Sequence, residues 1–306
     1  MEKVAIIDCG TNTFHLMIAS IEGSKFMINE RIKTAVKIGE GGINQNRILD
    51  SGEKRALAAL SNFKSIIDEN QILRTFAYAT SAFRNADNGK EIQRKIKNQI
   101  GLDLQIIDGN REAELIFKGV NLALDLNNET ALVMDIGGGS VEFIIGNNDE
   151  ILWKKSIEIG GQRLVELFHK HDPMEREEIE ALENYLEKQL IELFDNLNKY
   201  KPKLLAGSSG TFDTLSEIHC SEQQVDFNDK NPENQFSIDV FDRIHKKLIT
   251  FNRSERMQIP GMIEMRVDMI VVASCLINFI LERYSFDNIR VSSYSLKEGA
   301  LSELLM

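Results

Sequence analysis

The apolar positions come in short runs, each stopped by a turn of small residues. Residues 3–8 (KVAIID) read as a buried strand, followed by the turn Cys9-Gly10-Thr11-Asn12. Residues 13–20 and 25–36 read as two further strands, which makes a β-meander. A glycine-rich loop, Gly39-Glu40-Gly41-Gly42, leads into a helix-period stretch over about 51–69. A strand at 75–79, a helix near 82–99, a strand at 104–107 and a helix near 110–124 follow. The order then begins again. Residues 131–135 (ALVMD) form a strand, Ile136-Gly137-Gly138-Gly139-Ser140 a turn, and 141–147 and 151–158 two more strands. A Gly160-Gly161 loop precedes helices near 161–170 and 175–199. The strand 204–206 ends at Gly207-Ser208-Ser209-Gly210-Thr211, and a strand near 288–292 with a last helix near 295–305 completes the second half. Region 212–287 reads as a helical insertion, and the polar stretch 221–235 as an exposed loop.

Two halves of the order βββαβαβα predict an α/β class protein, a duplicated two-domain fold with a central cleft. The expected division is an N-terminal domain over 1–124 and a C-terminal domain over 125–306, with a short polar turn at Asn127-Asn128. The helix at about 296–306 is free to return to the first domain. The length, 306 residues, suits two domains.

Composition narrows the classes. Hydrophobic content is 42% and charged content 27%, as for a soluble globular chain. A net charge of −11 argues against nucleic acid as a partner. The imbalance is local: residues 1–124 carry 17 basic and 15 acidic side chains, the remainder 19 and 32. Side-chain cations for an anionic ligand are therefore expected mainly in the first half, and elsewhere backbone N–H groups or a metal must serve. Cys9, Cys220 and Cys275 lack any paired spacing, which points to a reducing, cytoplasmic setting. No signal peptide precedes Val4, and the apolar stretch Met269 to Leu281 is too short to span a bilayer, so no membrane association is expected.

Candidate chemistry sits in the turns. Asp8-Cys9-Gly10-Thr11-Asn12-Thr13 and Asp135-Ile136-Gly137-Gly138-Gly139-Ser140 occupy equivalent places in the repeat. Each sets an aspartate at a strand end before small residues whose N–H groups can gather on an anion. One such motif reads equally as an unliganded hairpin turn; two copies in register favour the anion. A carboxylate beside phosphate needs a cation between them, so Asp8 and Asp135 imply a divalent metal, magnesium with water ligands by preference. The third loop, Ser208-Ser209-Gly210-Thr211, opens a helix, and helix N-termini favour anions. Glu112, near the start of a helix, reads on its own as a solvated first-turn glutamate. Glu142 reads equally as an outward-facing strand residue, and Arg84 as a surface helix residue. His15 reads as a structural residue within its strand, and His169, His171, His219 and His245 show no metal spacing.

Three stretches carry a resemblance. They are Asp8-Cys-Gly-Thr-Asn-Thr-Phe-His-Leu-Met-Ile, Asn110-Arg-Glu-Ala-Glu-Leu-Ile-Phe-Lys-Gly-Val and Val133-Met-Asp-Ile-Gly-Gly-Gly-Ser-Val-Glu. Ala79-Thr-Ser-Ala-Phe-Arg84, Gly207-Ser-Ser-Gly-Thr211 and Ser295-Leu-Lys-Glu-Gly-Ala-Leu301 extend it over nearly the whole chain. The sequence resembles the exopolyphosphatase/guanosine pentaphosphate phosphatase family, within the actin-like ATPase superfamily (ribonuclease H-like fold). The resemblance implies a phosphohydrolase that releases terminal phosphate from inorganic polyphosphate, or alternatively from pppGpp, with Mg2+. It implies Glu112 and Glu142 as catalytic, and Asp135 and Glu142 at the metal, where the turn itself also places Asp8. Phosphate would be held by Gly10, Thr11, Asn12, Thr13, Arg84, Gly137, Gly138, Gly139, Ser140, Ser208, Ser209, Gly210 and Thr211. Lys297 stands where the family commonly has arginine, and Val272-Ala273 where it commonly has Pro-Gly. The chain ends at Met306, without the additional helical domains of longer members. A kinase or ATPase of the same fold, and a non-enzymatic sensor, are the other readings; the Glu112 motif favours hydrolysis. Neither chain-length preference nor oligomeric state is set by the sequence, and a homodimer is allowed.

Overall fold

The structure is a computed structural model that describes residues 2–126, 129–225 and 231–305. The chain divides into two compact units. Unit 1 comprises Met1–Gly119 with Leu296–Met306, and unit 2 comprises Val120–Ser295.

Unit 1 contains β1 (Glu2–Cys9), β2 (Thr13–Glu22), β3 (Lys25–Ala35), α1 (Asp50–Glu69), β4 (Arg74–Ala79), α2 (Ser81–Asn85), α3 (Gly89–Ile100) and β5 (Leu104–Ile106). α4 (Gly109–Ala123) carries the chain out of it. The sheet order is β3-β2-β1-β4-β5, with β1, β2 and β3 antiparallel and β4 and β5 parallel to β1. α1 presents Ala56, Ala59, Leu60, Phe63 and Ile67 at helical spacing, and these pack with Ala5, Ile7 and Cys9 from one face of β1.

Unit 2 contains β6 (Ala131–Ile136), β7 (Val141–Gly146), β8 (Ile151–Ile157), α5 (Gly161–Phe168), α6 (Arg176–Gln189), α7 (Ile191–Tyr200), β9 (Leu204–Ser208) and α8 (Ser209–Glu222). β10 (Glu233–Phe236), α9 (Ile238–Thr250), α10 (Arg253–Arg256), α11 (Met269–Leu281) and β11 (Asn288–Ser292) follow. α12 (Leu296–Ser302) belongs to unit 1 and packs on β1. The second sheet runs β10-β11-β9-β6-β7-β8, again an antiparallel meander extended by the parallel strands β9 and β11, with β10 antiparallel at the edge. β6 is buried on both faces and α11 is buried almost all round, which is why both read as continuous apolar runs. The duplicated α/β fold expected from the sequence is present.

Local expectations needed correction. The helix expected over 82–99 is two helices, because Ala86 takes an extended conformation before the Asp87-Asn88-Gly89 turn. The helix expected over 175–199 breaks at Leu190, which caps α6 and starts α7. Region 212–287 is not wholly helical: β10 joins the sheet edge beside β11. α8 reaches Glu222 and β10 starts at Glu233, so the polar stretch 221–235 is structured at both ends. Its residues 226–230, and the turn expected at Asn127-Asn128, lie outside the described residues. No helix among the described residues is long and apolar enough to cross a membrane.

Candidate active site

In unit 2, β6 and β7 are joined by the glycine turn. Gly137 N donates to Ser140 O at 3.0 Å, and a Cβ on Gly137 would stand only 3.0 Å from that oxygen. The segment before and at the start of α5 then ties down the turn's carbonyls. Gly161 N donates to Gly137 O (2.9 Å), Gln162 N to Gly138 O (2.8 Å) and Gly160 N to Gly139 O (3.1 Å). In a trans peptide the N–H points opposite to the preceding C=O. The N–H groups of Gly138, Gly139 and Ser140 are thereby all turned away from α5, as an anion-binding nest requires. Gly137, whose N–H closes the turn, contributes shape rather than a donor. Gly160 is glycine for the same reason of approach, since a Cβ there would lie 2.5 Å from the backbone of Gly138 and Gly139.

The carboxylates stand behind this turn. Asp135 pairs in register with Glu142 across β6 and β7, with Ser208 across β6 and β9, and Glu142 pairs with Ser156 on β8. All four share one face of the sheet. Asp135 and Glu142 are 5% and 1% exposed, so two adjacent carboxylates are held almost out of water. Asp135 Oδ2 accepts hydrogen bonds from Ser208 Oγ (2.6 Å), Ser209 Oγ (2.7 Å) and Ser295 Oγ (2.6 Å). Ser156 Oγ donates to Glu142 Oε1 at 2.6 Å. The third loop is therefore anchored through its serine hydroxyls to Asp135. That bond also helps hold Ser209 at φ 67°, a left-handed conformation unfavourable for a residue with a Cβ.

Arg266 is the residue that sequence reasoning missed. Its guanidinium lies flat against Gly210, in the first turn of α8, so closely that any Cβ at position 210 would collide with it. Its Nε is buried and has no hydrogen-bond partner among the described residues. Burial pushes the guanidinium below its ordinary pKa, and the Asp213 and Asp135 carboxylates pull it back up. A buried guanidinium N–H at a helix N-terminus suits an anionic partner. No motif signals it: a lone arginine in Glu264-Met265-Arg266-Val267 is placed only by the fold.

Unit 1 repeats the backbone device. Gly10 N donates to Thr13 O (3.1 Å), Val36 N and Lys37 N to Asn12 O (2.9 and 2.8 Å), and Gly39 N to Thr11 O (3.2 Å). The N–H groups of Asn12 and Thr13 are turned the other way, and Thr11, Asn12 and Thr13 are buried. Arg55 holds the tying segment, donating to Val36 O at 2.6 Å and Lys37 O at 2.7 Å. Asp8 pairs in register with His15 on β2 and Tyr78 on β4, and His15 pairs with Lys33 on β3.

Glu112 lies in the first turn of α4, where Asp108 caps the helix by accepting from Arg111 N at 2.8 Å. Its Oε2 accepts from Arg84 Nη1 at 2.8 Å, and Arg84 also reaches Ile107 O at 3.2 Å. Glu112 is 7% exposed, so it is not a solvated first-turn glutamate. Two residues singled out 28 positions apart in the sequence form one ion pair.

Asp135 and Glu142 pass a test of fit for a hydrated Mg2+: two buried neighbouring carboxylates repel unless a cation or proton lies between them. They do not fit an all-protein cage, because no group of three or more His, Cys, Asp or Glu suited to a metal exists among the described residues. Asp8 has no second carboxylate beside it in its own row of unit 1.

The Ppx/GppA phosphatase family model matches residues 17–306. A bifunctional 3-dehydroquinate synthase/phosphatase from Fusobacterium nucleatum is 30% identical over 98% of this chain; the match spans 46% of that relative, so the chain covers about half its length. The crystal structure of an exopolyphosphatase from Cytophaga hutchinsonii is 44% identical, with a TM-score of 0.96 over 99% of this chain and 98% of that one. The Aquifex aeolicus PPX-GPPA enzyme is 26% identical, with a TM-score of 0.81 over 99% of both chains. With a family match over almost its full length, the chain belongs to the Ppx/GppA phosphatase family.

Proposed function

We propose that the protein is a phosphoanhydride hydrolase that releases terminal phosphate from inorganic polyphosphate. The observation that carries this reading is Arg266, whose buried Nε has no hydrogen-bond partner among the described residues and whose guanidinium is set on Gly210 at the N-terminus of α8 and within the field of Asp135. That arrangement calls for a compact, highly charged anion. The turned-out N–H groups of Gly138, Gly139 and Ser140, with the start of α8, supply further donors for phosphate oxygens. Gly10 to Thr13 supply the corresponding turn of unit 1.

In this reading Glu112 orients a water and accepts its proton as the water oxygen bonds to the terminal phosphorus. The bridging P–O bond breaks, and its electron pair leaves on the shortened chain. Arg84 holds Glu112 in place in the resting state and is available to a phosphate oxygen when substrate binds. Asp135 and Glu142 would hold Mg2+, which when bound would offset the negative charge of the phosphate oxygens. The serine hydroxyls on Asp135 keep the carboxylate fixed, so little reorganisation accompanies the reaction. The names of the exopolyphosphatase and phosphatase relatives support this class of chemistry. The test is phosphate release from purified protein with Mg2+, with long polyphosphate, tripolyphosphate, pppGpp and ATP offered in parallel. Release from pppGpp alone would replace the polyphosphate reading, and no release from any of the four would sink the hydrolase reading.

A further inference from the structure

Arg163, in the first turn of α5, is not among the residues that the motifs single out. Its side chain is nonetheless 8% exposed and directed at the glycine turn of unit 2. Nε donates to Gly139 O at 2.9 Å, in a buried hydrogen bond, while Nη2 reaches Glu158 Oε2 at 3.2 Å. Gly139 O also accepts from Gly160 N at 3.1 Å. One carbonyl thus takes a neutral backbone donor and a charged side-chain donor. The peptide whose oxygen is held is the one whose N–H belongs to Ser140, so fixing that oxygen fixes the aim of that N–H. On its carbonyl side this peptide is flanked by Gly139, which has no Cβ and so restrains it little. A charged donor on the carbonyl also polarises the amide and makes its N–H a better donor on the far side.

Resting on the phosphohydrolase reading, we infer that Arg163 is a positioning residue for the phosphate-binding turn: through Gly139 O it orients the Ser140 N–H toward a phosphate oxygen of the substrate. It acts from behind the turn, and Glu158 serves to hold its guanidinium in the plane that reaches Gly139. The corresponding arginine of unit 1, Arg55, acts one step further back, on the carbonyls of Val36 and Lys37 rather than on the turn itself. The direct contact makes unit 2 the more sensitive half.

The experiment compares wild type, Arg163→Met, Arg163→Lys and Glu158→Gln. It reads tripolyphosphate affinity by calorimetry with Mg2+, alongside kcat and KM for phosphate release. Arg163→Met is expected to weaken tripolyphosphate binding about tenfold and raise KM similarly, since one charge-assisted contact is lost, with kcat changed less than about threefold. Free guanidinium is expected to restore part of the affinity of Arg163→Met, a response that a general packing defect does not give. Should Arg163→Met fail to fold, Arg163→Lys carries the test, with an expected loss of about threefold from its poorer hydrogen-bond geometry. A wild-type Kd in whichever of these variants folds overturns the inference. So does an equal loss in Glu158→Gln with no response to guanidinium. If wild type binds tripolyphosphate without releasing phosphate, the hydrolase reading fails while the affinity comparison still decides the role of Arg163.

Discussion

In unit 2 the row running outward from Asp135 across the sheet holds Glu142 and then Ser156; in unit 1 the row outward from Asp8 holds His15 and then Lys33. The backbone around the two rows is the same. Gly10 and Gly137 each close a turn by donating to the residue three positions on, and each turn's carbonyls are bonded by the segment that follows the third strand. A β-meander whose next segment passes beneath its first turn satisfies those carbonyls in only a few ways, so the hydrogen bonds repeat. The side chains carry no such obligation. One half pairs two carboxylates, Asp135 and Glu142; the other pairs its carboxylate, Asp8, with His15. Two copies of one backbone device thus carry different rows of side chains.

The most severe test of this division concerns Glu112, the acid that unit 1 contributes from α4 rather than from its sheet. Glu112→Gln is expected to lower kcat by about 10²–10⁴-fold, the range for a lost general base, with substrate affinity within about threefold. Single-turnover assays beside equilibrium binding check it; near-normal hydrolysis would remove Glu112 from the chemistry. Asp135→Asn and Asp8→Asn sharpen the comparison directly. The Asp135 variant is expected to lose about 10³-fold in kcat/KM and its response to added Mg2+, and the Asp8 variant about tenfold with that response intact. Equal losses, or full activity of wild type in excess chelator, would erase the distinction between the rows.

Stability separates the units as well. His245 of α9 is stacked on Phe241 and bonded to Ser274, and burial pushes its pKa down to about 4. Burial also lowers His169 in the same unit. A depressed histidine is neutral in the folded state while the unfolded chain takes up a proton, so the stability held above pH 6.5 is lost as pH falls toward 4. His245 alone is expected to account for about 3 kcal/mol of that loss. The single tryptophan, Trp153 on β8, reports unit 2 by fluorescence in urea titrations at pH 7 and pH 4.5. His245→Phe should flatten the dependence, and an unchanged slope would show that other groups govern it. A binding measurement tests Arg266. Arg266→Met should weaken tripolyphosphate binding by about 2 kcal/mol, roughly 30-fold, as one charged hydrogen-bonding partner is removed. Unaltered affinity would leave the buried guanidinium without a role in binding.

Much of this was legible in the residues themselves. The Asp-x-Gly turns, the glycine run and the Gly207 to Thr211 loop announce themselves because close approaches to backbone need small residues at fixed spacing. The repeat of the meander was legible because strand patterns depend on near neighbours. Some local errors were avoidable: Asp87-Asn88-Gly89 is a turn signal inside a stretch whose helical periodicity spoke louder. The break at Leu190 gave no such signal, since leucine is a good helix former and sits on the expected face.

By itself, then, the sequence determined the two strand meanders, the duplicated α/β class, the family and the small-residue loops, because each depends on local conformation or on an unbroken string of residues. The tertiary structure decided what those loops point at. Arg266 meets Gly210 from 56 positions away, and Ser295 meets Asp135 from 160 positions away. Glu112 acquires Arg84 only when α2 and α4 are packed in one unit. Arg163 bears on Gly139 only because α5 starts beneath the turn. Hydrogen bonds and ion pairs of this kind depend on separations of about 3 Å between atoms distant in the chain. No periodicity or spacing encodes such separations; packing alone sets them.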